Sequence, residues 1–215
     1  MEHIILSKSE LIISRLSNIR MGTAVLQELK TEIIRKSIHF LIALSPTMAL
    51  VNRPATMLVL MIGALCYTYL ETLRFSGVDI PLISSITTMA SRPRDKGRFV
   101  LGPVTLGIGA LLALLLYPSP AASIAIYALA FGDGFASLIG KLFGRIRPAF
   151  LWGKSVEGSL ACFTAVLFIS YQVSYNYKTA LIAAVTATLV EALPLKDYDN
   201  LAIPIIVGFV VGFTL

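Results

Sequence analysis

Long apolar runs, separated by short polar segments, make up most of this 215-residue chain. They form blocks rather than amphipathic stripes, which is the pattern of membrane spans. Several are shorter than the roughly 20 residues of a usual span, so some helices would tilt or end in a wet cavity. The weaker block 78–90 is predicted as a re-entrant or interfacial segment. The seven main blocks cover residues 37–52, 55–72, 100–117, 121–140, 157–174, 178–193 and 201–215.

The first 31 residues follow another pattern, with apolar residues at near-helical spacing among charged ones. This predicts an amphipathic interfacial helix in residues 1–31, and a helix packed on the bundle is an equal alternative. Residues 32–215 contain no evident repeat, linker or low-complexity stretch, so they are predicted as one transmembrane domain. The expected fold is all-α: a polytopic membrane helix bundle with about seven transmembrane helices plus the N-terminal amphipathic helix.

Composition and charge placement support a membrane protein. The chain is 56% hydrophobic and 14% charged, with mean hydropathy +0.81, which excludes an ordinary soluble domain. Of its 18 basic residues, only Arg53 and Lys178 fall in loops of one side. The positive-inside rule therefore predicts a multi-pass protein with a cytoplasmic N-terminus and active site, and a C-terminus on the opposite side. This topology explains the net charge of +6 without a nucleic-acid partner.

The segment 131–145 places a carboxylate inside an apolar helix. Asp133, Ser137 and Lys141 lie at i, i+4 and i+8, so they share one helix face, which suits a metal–phosphate site. A structural ion pair is the alternative. A stripe of small residues consists of Gly132, Ala136 and Gly140. Such a stripe permits close approach of another helix, within the chain or in a homodimer.

The segment 152–159 opens the next block. Lys154 offers a counter-charge for phosphate, and Ser155 is a candidate N-cap at a helix end that favours anions. Glu157 could hold a magnesium ion or orient Lys154. The Gly-Lys-Ser fragment is not a P-loop, because Pro148 stands where that motif needs glycine and no strand precedes it. An ordinary basic loop is the alternative.

Two further groups lie near span ends. Glu191 and the acidic turn 196–200 offer oxygen ligands for a hard cation, although a solvated acidic turn would look the same. His39, which follows Arg35 and Lys36 into the first span, could be a general base or a phosphate contact. Hydrogen-bonded packing is an equally good interpretation of this histidine.

Taken in order, these segments resemble the polyprenol kinase family, which includes dolichol, phytol and CTP-dependent diacylglycerol kinases. The resemblance runs from about residue 32 to the C-terminus. It is carried by 35–39 (R-K-S-I-H), 132–141, 153–159, Glu191 and 199–200. It implies that the γ-phosphate of a nucleoside triphosphate, CTP in the first place, is transferred to a lipid alcohol in the bilayer with Mg²⁺. The acceptor would be an isoprenoid alcohol (dolichol, phytol or geranylgeraniol type) or diacylglycerol.

The resemblance and the residue chemistry together assign roles. The catalytic set is Asp133, Lys141, Lys154, Glu157 and His39. The nucleotide and phosphate set is Gly132, Gly134, Ser137, Gly140, Lys141, Arg145, Gly153, Lys154, Ser155, Gly158 and Asn200. The metal set is Asp133, Glu191 and Asp199.

Two other functions compete with the kinase. A CTP-dependent phosphatidate cytidylyltransferase making CDP-lipid comes second, because this chain lacks the strongly basic run and the late H-G-G segment associated with those enzymes. An ion-coupled transporter comes third. Transport would need polar residues through both halves of the membrane, and the half opposite the cytoplasm is nearly free of them here.

Overall fold

The computed structural model describes residues 26–78, 80–91, 95 and 97–215, without the side chains of residues 82, 83, 86 and 88. All regular elements in these residues are helical and none is a strand, which confirms the all-α prediction. The amphipathic helix predicted for residues 1–31 lies outside the described residues, except that 26–31 begin the first helix.

Nine α-helices can be followed in the described chain, and α4 to α9 agree with the predicted apolar blocks to within a few residues. They are α1 (26–41), α2 (Leu44–Phe75), α3 (Pro81–Ala90), α4 (Gly102–Leu116), α5 (Ala121–Tyr127), α6 (Gly134–Leu142), α7 (Val156–Ser174), α8 (Tyr177–Ala192) and α9 (Asp199–Gly212). A π-helical turn, Ala128–Asp133, joins α5 and α6 into one continuous helix.

Within the described residues, three helical stretches are long and apolar enough to cross a membrane: Leu26–Phe75, Ala121–Leu142 and Val156–Ser174. They point to a membrane protein. Helix α4 is apolar but has only 15 residues, and α9 has only 14. At 1.5 Å per residue these two fall short of the roughly 30 Å hydrocarbon core. The count of about seven spans is therefore not confirmed.

The stretch Leu26–Phe75 contains a sharp break at Asn52, between the predicted blocks 37–52 and 55–72. The backbone of Asn52 is extended (φ −153°, ψ 97°), and its side-chain oxygen accepts a hydrogen bond from Ala55 N at 3.0 Å. Pro54 follows within the first turn of the new helix, where its missing N–H costs nothing. Arg53 donates from Nε to the carbonyl oxygen of Leu114 at 3.1 Å, so it satisfies the C-terminal end of α4.

Small residues allow the helices to pack closely around the continuous α5–α6 helix. A Cβ added at Gly132 would lie 2.8 Å from Val166 Cγ2 of α7, and one added at Gly158 would lie 2.7 Å from the Ala136 carbonyl oxygen. The stripe predicted from Gly132, Ala136 and Gly140 is thus filled by α7 within the chain. Fully buried alanines line the same interfaces, as in membrane helix bundles generally.

Candidate active site

A cavity of about 420 Å³ opens at the end of the bundle where α6 ends and α7 begins. Its walls come from α1, the central helix, the loop before α7, the end of α8 and the turn before α9. Predicted site residues that line it are Asp133, Ser137, Gly140, Lys141, Gly153, Lys154, Ser155, Gly158, Glu191 and Asp199. Residues far apart in sequence therefore meet in one concave space.

Asp133 lies at the end of the π-helical turn and is almost fully buried. Lys36 Nζ donates a hydrogen bond to its Oδ2, and His39 Nε2 lies 3.2 Å from the same oxygen. On the other side, Ser137 Oγ donates to Oδ1 at 3.4 Å. The buried carboxylate is thus compensated by the Lys36 ammonium group of α1, as a charge in an apolar interior requires.

The position of His39 fixes the tautomer of its ring. Nε2 faces two acceptors, the Asp133 carboxylate and the carbonyl oxygen of Leu129 at 3.0 Å. Because neither acceptor can donate, Nε2 must carry the hydrogen, and the neutral ring then accepts through Nδ1. Leu129 belongs to the π-helical turn, so this turn orients both the carboxylate and the histidine.

Glu32 connects α1 to α6. Its Oε1 accepts from Arg35 Nη2 at 2.7 Å, and its Oε2 lies 3.3 Å from Lys141 Nζ. Glu32 is fully buried, whereas the Lys141 side chain is 35% exposed. The carboxylate therefore contacts the ammonium group of Lys141, which stays partly accessible at the cavity.

Lys154 and Glu191 form a second ion pair, between the loop before α7 and the end of α8. The distance from Lys154 Nζ to Glu191 Oε1 is 2.8 Å. The other oxygen, Glu191 Oε2, is buried and has no hydrogen-bond partner within the described part of the chain. A buried oxygen without a partner is costly, so this atom is a candidate ligand for a bound cation.

Asp199 stands at the first position of α9 and also faces the cavity. Burial, and then the negative charge of Asp133, raise the pKa of Asp199 to about 7. Lys36, Lys154 and Arg35 lower this pKa without cancelling the effect of burial, and a bound metal ion would add a further positive charge beside the carboxylate.

The cavity can be tested for its fit to a metal ion. Residues 26–78, 80–91, 95 and 97–215 contain no group of three or more His, Cys, Asp or Glu side chains that could hold a metal by themselves. The predicted set of Asp133, Glu191 and Asp199 is therefore not a preformed cage. Magnesium in phosphoryl-transfer sites usually takes only one or two carboxylates plus substrate oxygens, so Glu191 and Asp199 fit it.

Ser155 and two glycines shape the wall between α6 and α7. Ser155 Oγ accepts from Gly158 N at 3.1 Å, which confirms the predicted N-cap. A Cβ at Gly140 would lie 3.0 Å from this same Oγ. The glycines at 140 and 158 thus let the two helices touch directly beside the cavity.

Several residues predicted for the site lie outside this cavity. Glu157 accepts from the backbone nitrogens of Arg145 and Ile146 at 2.9 and 3.2 Å, so it braces the preceding loop. Asn200 donates to Gly102 O and to Thr105 Oγ1, which ties α9 to α4. His39 and Asn200 line a smaller neighbouring pocket. The two remaining glycines, Gly132 and Gly134, pack against Val166 and the ring of Phe40.

The structure adds residues that the motifs do not single out. Arg147 lines the cavity and donates to Gly153 O at 2.6 Å and to Gly140 O at 2.7 Å, so it clamps the loop onto α6. Lys36 is the buried partner of Asp133. Topology alone places basic residues at span ends, so only their contacts within the bundle distinguish these two.

Fold and site together define a class: an all-helical membrane protein with a cavity in which lysines, arginines and carboxylates from distant segments meet. Sequence comparison then relates the chain to lipid-alcohol kinases. It is 29% identical over 145 residues to a probable chloroplastic phytol kinase of Triticum aestivum, covering 59% of this chain and 47% of that protein. It is 30% identical over 142 residues to a chloroplastic farnesol kinase of Arabidopsis thaliana, covering 58% and 46%.

A phytol kinase of Synechocystis sp. is 26% identical over 153 residues, covering 67% of this chain and 64% of the relative. The chain spans about half the length of the plant relatives it matches. No family model and no solved structure matches it. The phytol and farnesol kinase relatives confirm the resemblance to the polyprenol kinase family that the motifs indicate.

Proposed function

We propose that this chain is a membrane lipid-alcohol kinase that transfers the γ-phosphate of a nucleoside triphosphate to the hydroxyl of an isoprenoid alcohol. The names of its relatives, phytol kinase and farnesol kinase, support the reaction type. CTP is the proposed donor and Mg²⁺ the proposed cofactor. The distribution of basic residues supports a cytoplasmic cavity, an N-terminus on the same side and a C-terminus on the other.

The observation that carries the proposal is the convergence of Lys141, Lys154, Arg147, Glu191 and Asp199 on one cavity. Phosphoryl transfer asks a protein mainly to position the reactants and to neutralise charge. The volume of about 420 Å³ is within the range of about 300–1,000 Å³ for small-molecule sites. A merely structural ion pair would not require cations and acids from five parts of the chain.

The cationic side chains bind the triphosphate in this proposal. Lys141 is accessible from the cavity, and its ammonium group has Glu32 on one side. Lys154 exchanges part of its contact with Glu191 for a phosphate oxygen when the nucleotide enters. Arg147 keeps the loop around Gly153 against α6, so the backbone there can approach the nucleotide closely.

Glu191 and Asp199 would hold Mg²⁺, Glu191 through the oxygen that lacks a protein partner. When bound, the ion would neutralise charge on the β- and γ-phosphates. Asp133, which the sequence places in the metal set, receives another role here. Because Lys36 and His39 both engage its Oδ2, it orients the histidine.

His39 accepts the proton of the alcohol in this mechanism. The hydroxyl oxygen forms a bond to the γ-phosphorus. At the same time, the bond breaks between that phosphorus and the oxygen that bridges it to the β-phosphorus. The products are the alcohol monophosphate and the nucleoside diphosphate. The hydroxyl proton passes to Nδ1 of His39. The Asp133 carboxylate, next to Nε2, stabilises the imidazolium that results.

A labelling assay tests the proposal. Purified protein in lipid nanodiscs is given Mg²⁺ and γ-labelled CTP, ATP or UTP with farnesol, phytol, geranylgeraniol, dolichol or diacylglycerol. Label in an alcohol monophosphate, with nucleoside diphosphate formed in equal amount, supports the kinase. CDP-lipid formed from phosphatidate and α-labelled CTP would support cytidylyl transfer instead. If label enters neither product, the proposed activity is wrong.

A further inference from the structure

A second pocket, much smaller than the cavity, lies between α1, α2, α3 and the start of α4. Its volume is about 50 Å³. Apolar groups form most of its wall: Ile38, Ala90, Leu106 and the ring of Tyr67. Polar side chains also line it, from α1, α3, residue 95 and the segment around the start of α9: Arg35, Lys36, His39, Thr87, Asp95, Asp197 and Asn200. A pocket with an apolar wall and several polar groups suits an amphipathic group, such as the hydroxyl end of a lipid alcohol.

The pocket and the cavity adjoin each other. Arg35 lines both of them. His39 and Lys36 line the pocket, and both contact Asp133, which lines the cavity. A hydroxyl bound beside His39 would therefore lie at the boundary with the cavity in which the triphosphate is proposed to bind.

We propose that the pocket receives the hydroxyl end of the acceptor and selects a single-chain primary alcohol over diacylglycerol. This inference rests on the proposed kinase function. A water-sized group needs at least about 10–15 Å³ of such volume, so about 50 Å³ admits a hydroxymethyl group and a few carbons in single file. Diacylglycerol branches at the carbon next to its hydroxymethyl group and carries two ester chains, for which a volume of about 50 Å³ has no room.

The rest of the acceptor chain has an apolar route to the bilayer. Ile38 of α1 and Ala90 of α3 both line the pocket. Close to them in sequence, Leu41 is 64% exposed and Met89 is 53% exposed. Apolar residues exposed this strongly on membrane helices face lipid, so the alcohol can enter between α1 and α3 with its chain still in the bilayer.

Photo-crosslinking tests the location without requiring catalysis. A farnesol analogue with a diazirine near the hydroxyl is added to the full chain in nanodiscs, and the labelled peptides are identified by mass spectrometry. We expect label on peptides of α1 and α3, including Ile38 or Ala90, that excess farnesol suppresses. Label confined to other helices in a protein that phosphorylates farnesol would overturn the pocket and leave the kinase proposal standing. Label at the pocket in an inactive protein would support the pocket and defeat the kinase.

A matched pair of variants tests the selectivity. Ala90→Phe narrows the pocket, whereas Met89→Phe adds the same ring at the adjacent, exposed position. We expect Ala90→Phe to raise the KM for farnesol by about tenfold or more, with the KM for CTP unchanged. Met89→Phe should resemble the wild type.

Two results would overturn this inference: equal KM values for farnesol in the two variants, or wild-type turnover of diacylglycerol as efficient as that of farnesol. If Ala90→Phe does not elute as a monodisperse species, the smaller change Ala90→Leu and the crosslinking pattern decide the question.

Discussion

The stretch Leu26–Phe75 and the central helix Ala121–Leu142 are both apolar enough to cross a membrane, yet they have opposite surroundings. Within an apolar window of 18 residues in each, 6% of the window is buried in the protein in the first stretch and 67% in the second. The first is a peripheral helix with its apolar side chains outward, and the second is the axis of the bundle. Apolarity alone therefore does not distinguish a lipid-facing helix from a core helix.

The two regions contribute to the site in complementary ways. The peripheral α1 turns a polar face inward and buries Glu32, Lys36 and His39. The central helix supplies the carboxylate, Asp133, and a π-helical turn that places it. A charge at the centre of the bundle is tolerated because the periphery provides its counter-charges. Four predictions test this division, starting with the largest expected effect.

The first prediction concerns a variant that removes the contact of Asp133 in the central helix with Lys36 and His39 of α1. Asp133→Asn should lower turnover by about 10²–10⁴-fold, because His39 loses the group that orients it and stabilises its charge. It should also lower the free energy of unfolding by about 3–5 kcal/mol, since Lys36 becomes a buried unpaired cation. Turnover is measured with labelled CTP and farnesol, and stability by thermal unfolding in detergent.

The matched control is the double variant Lys36→Met with Asp133→Leu, which removes both charges. It should regain most of the stability but none of the turnover. Wild-type turnover in Asp133→Asn would remove this carboxylate from the mechanism.

The second prediction concerns phosphate binding at the cavity. Lys154→Met should raise the KM for CTP by about 10- to 100-fold, the usual cost of losing a hydrogen bond to a charged group. Lys178→Met, an exposed lysine at the start of α8, is the control and should leave the KM unchanged. Steady-state kinetics with varied CTP measures both. Equal KM values in the two variants would contradict the role of Lys154.

The third prediction compares packing in the two regions directly. Gly158→Ala should destabilise the protein by about 1–3 kcal/mol, because its new Cβ would lie 2.7 Å from the Ala136 carbonyl oxygen. Gly63→Ala on α2 meets no atom within 4 Å, and it should stabilise by up to about 1 kcal/mol through helix propensity. Thermal unfolding of both variants is the measurement. Similar effects would mean that α2 is packed as tightly as the core.

The fourth prediction uses the difference between Asp133, which has cations beside it, and Asp199, whose pKa is raised to about 7. A carboxylate must lose its proton to bind a metal, so the Mg²⁺ concentration for half-maximal activity should rise as the pH falls through about 7. Protonation of the Asp199 carboxylate can change this Mg²⁺ concentration by at most about tenfold per pH unit. The variant Asp199→Asn should need a higher Mg²⁺ concentration for half-maximal activity at every pH. That concentration should no longer rise as the pH falls through about 7.

Much of the fold follows from hydrophobic pattern and local chemistry. Apolar blocks predicted the bounds of α4 to α9, because a helix in lipid must satisfy its own backbone and cannot end far inside an apolar run. The N-cap at Ser155 was equally local, since the accepting oxygen and the donating nitrogen are three residues apart. The number of spans is different: short helices such as α9 can cross only with help from neighbours, which pattern does not reveal.

For the candidate site too, the sequence indicated some residues and could not indicate others. The sequence indicated Asp133, Lys154 and Glu191 because an ionisable residue next to an apolar span needs a reason. It could not indicate that Glu157 braces a loop or that Asn200 joins α9 to α4, since those contacts depend on where other segments lie. Arg147 and Lys36 were missed for the converse reason, because basic residues at span ends already have an explanation in topology.

The sequence by itself determined that this is a helical membrane protein with its ionisable groups near the ends of apolar blocks, because the cost of charge in hydrocarbon acts on each segment separately. Only the tertiary structure decided which charges meet: Lys36 with Asp133, Glu32 with Lys141 and Lys154 with Glu191. Pairing is a property of distance in space. Glycines at helix contacts, such as Gly134 against Phe40 of α1 and Gly158 against Ala136, help to set those distances because they let the helices touch.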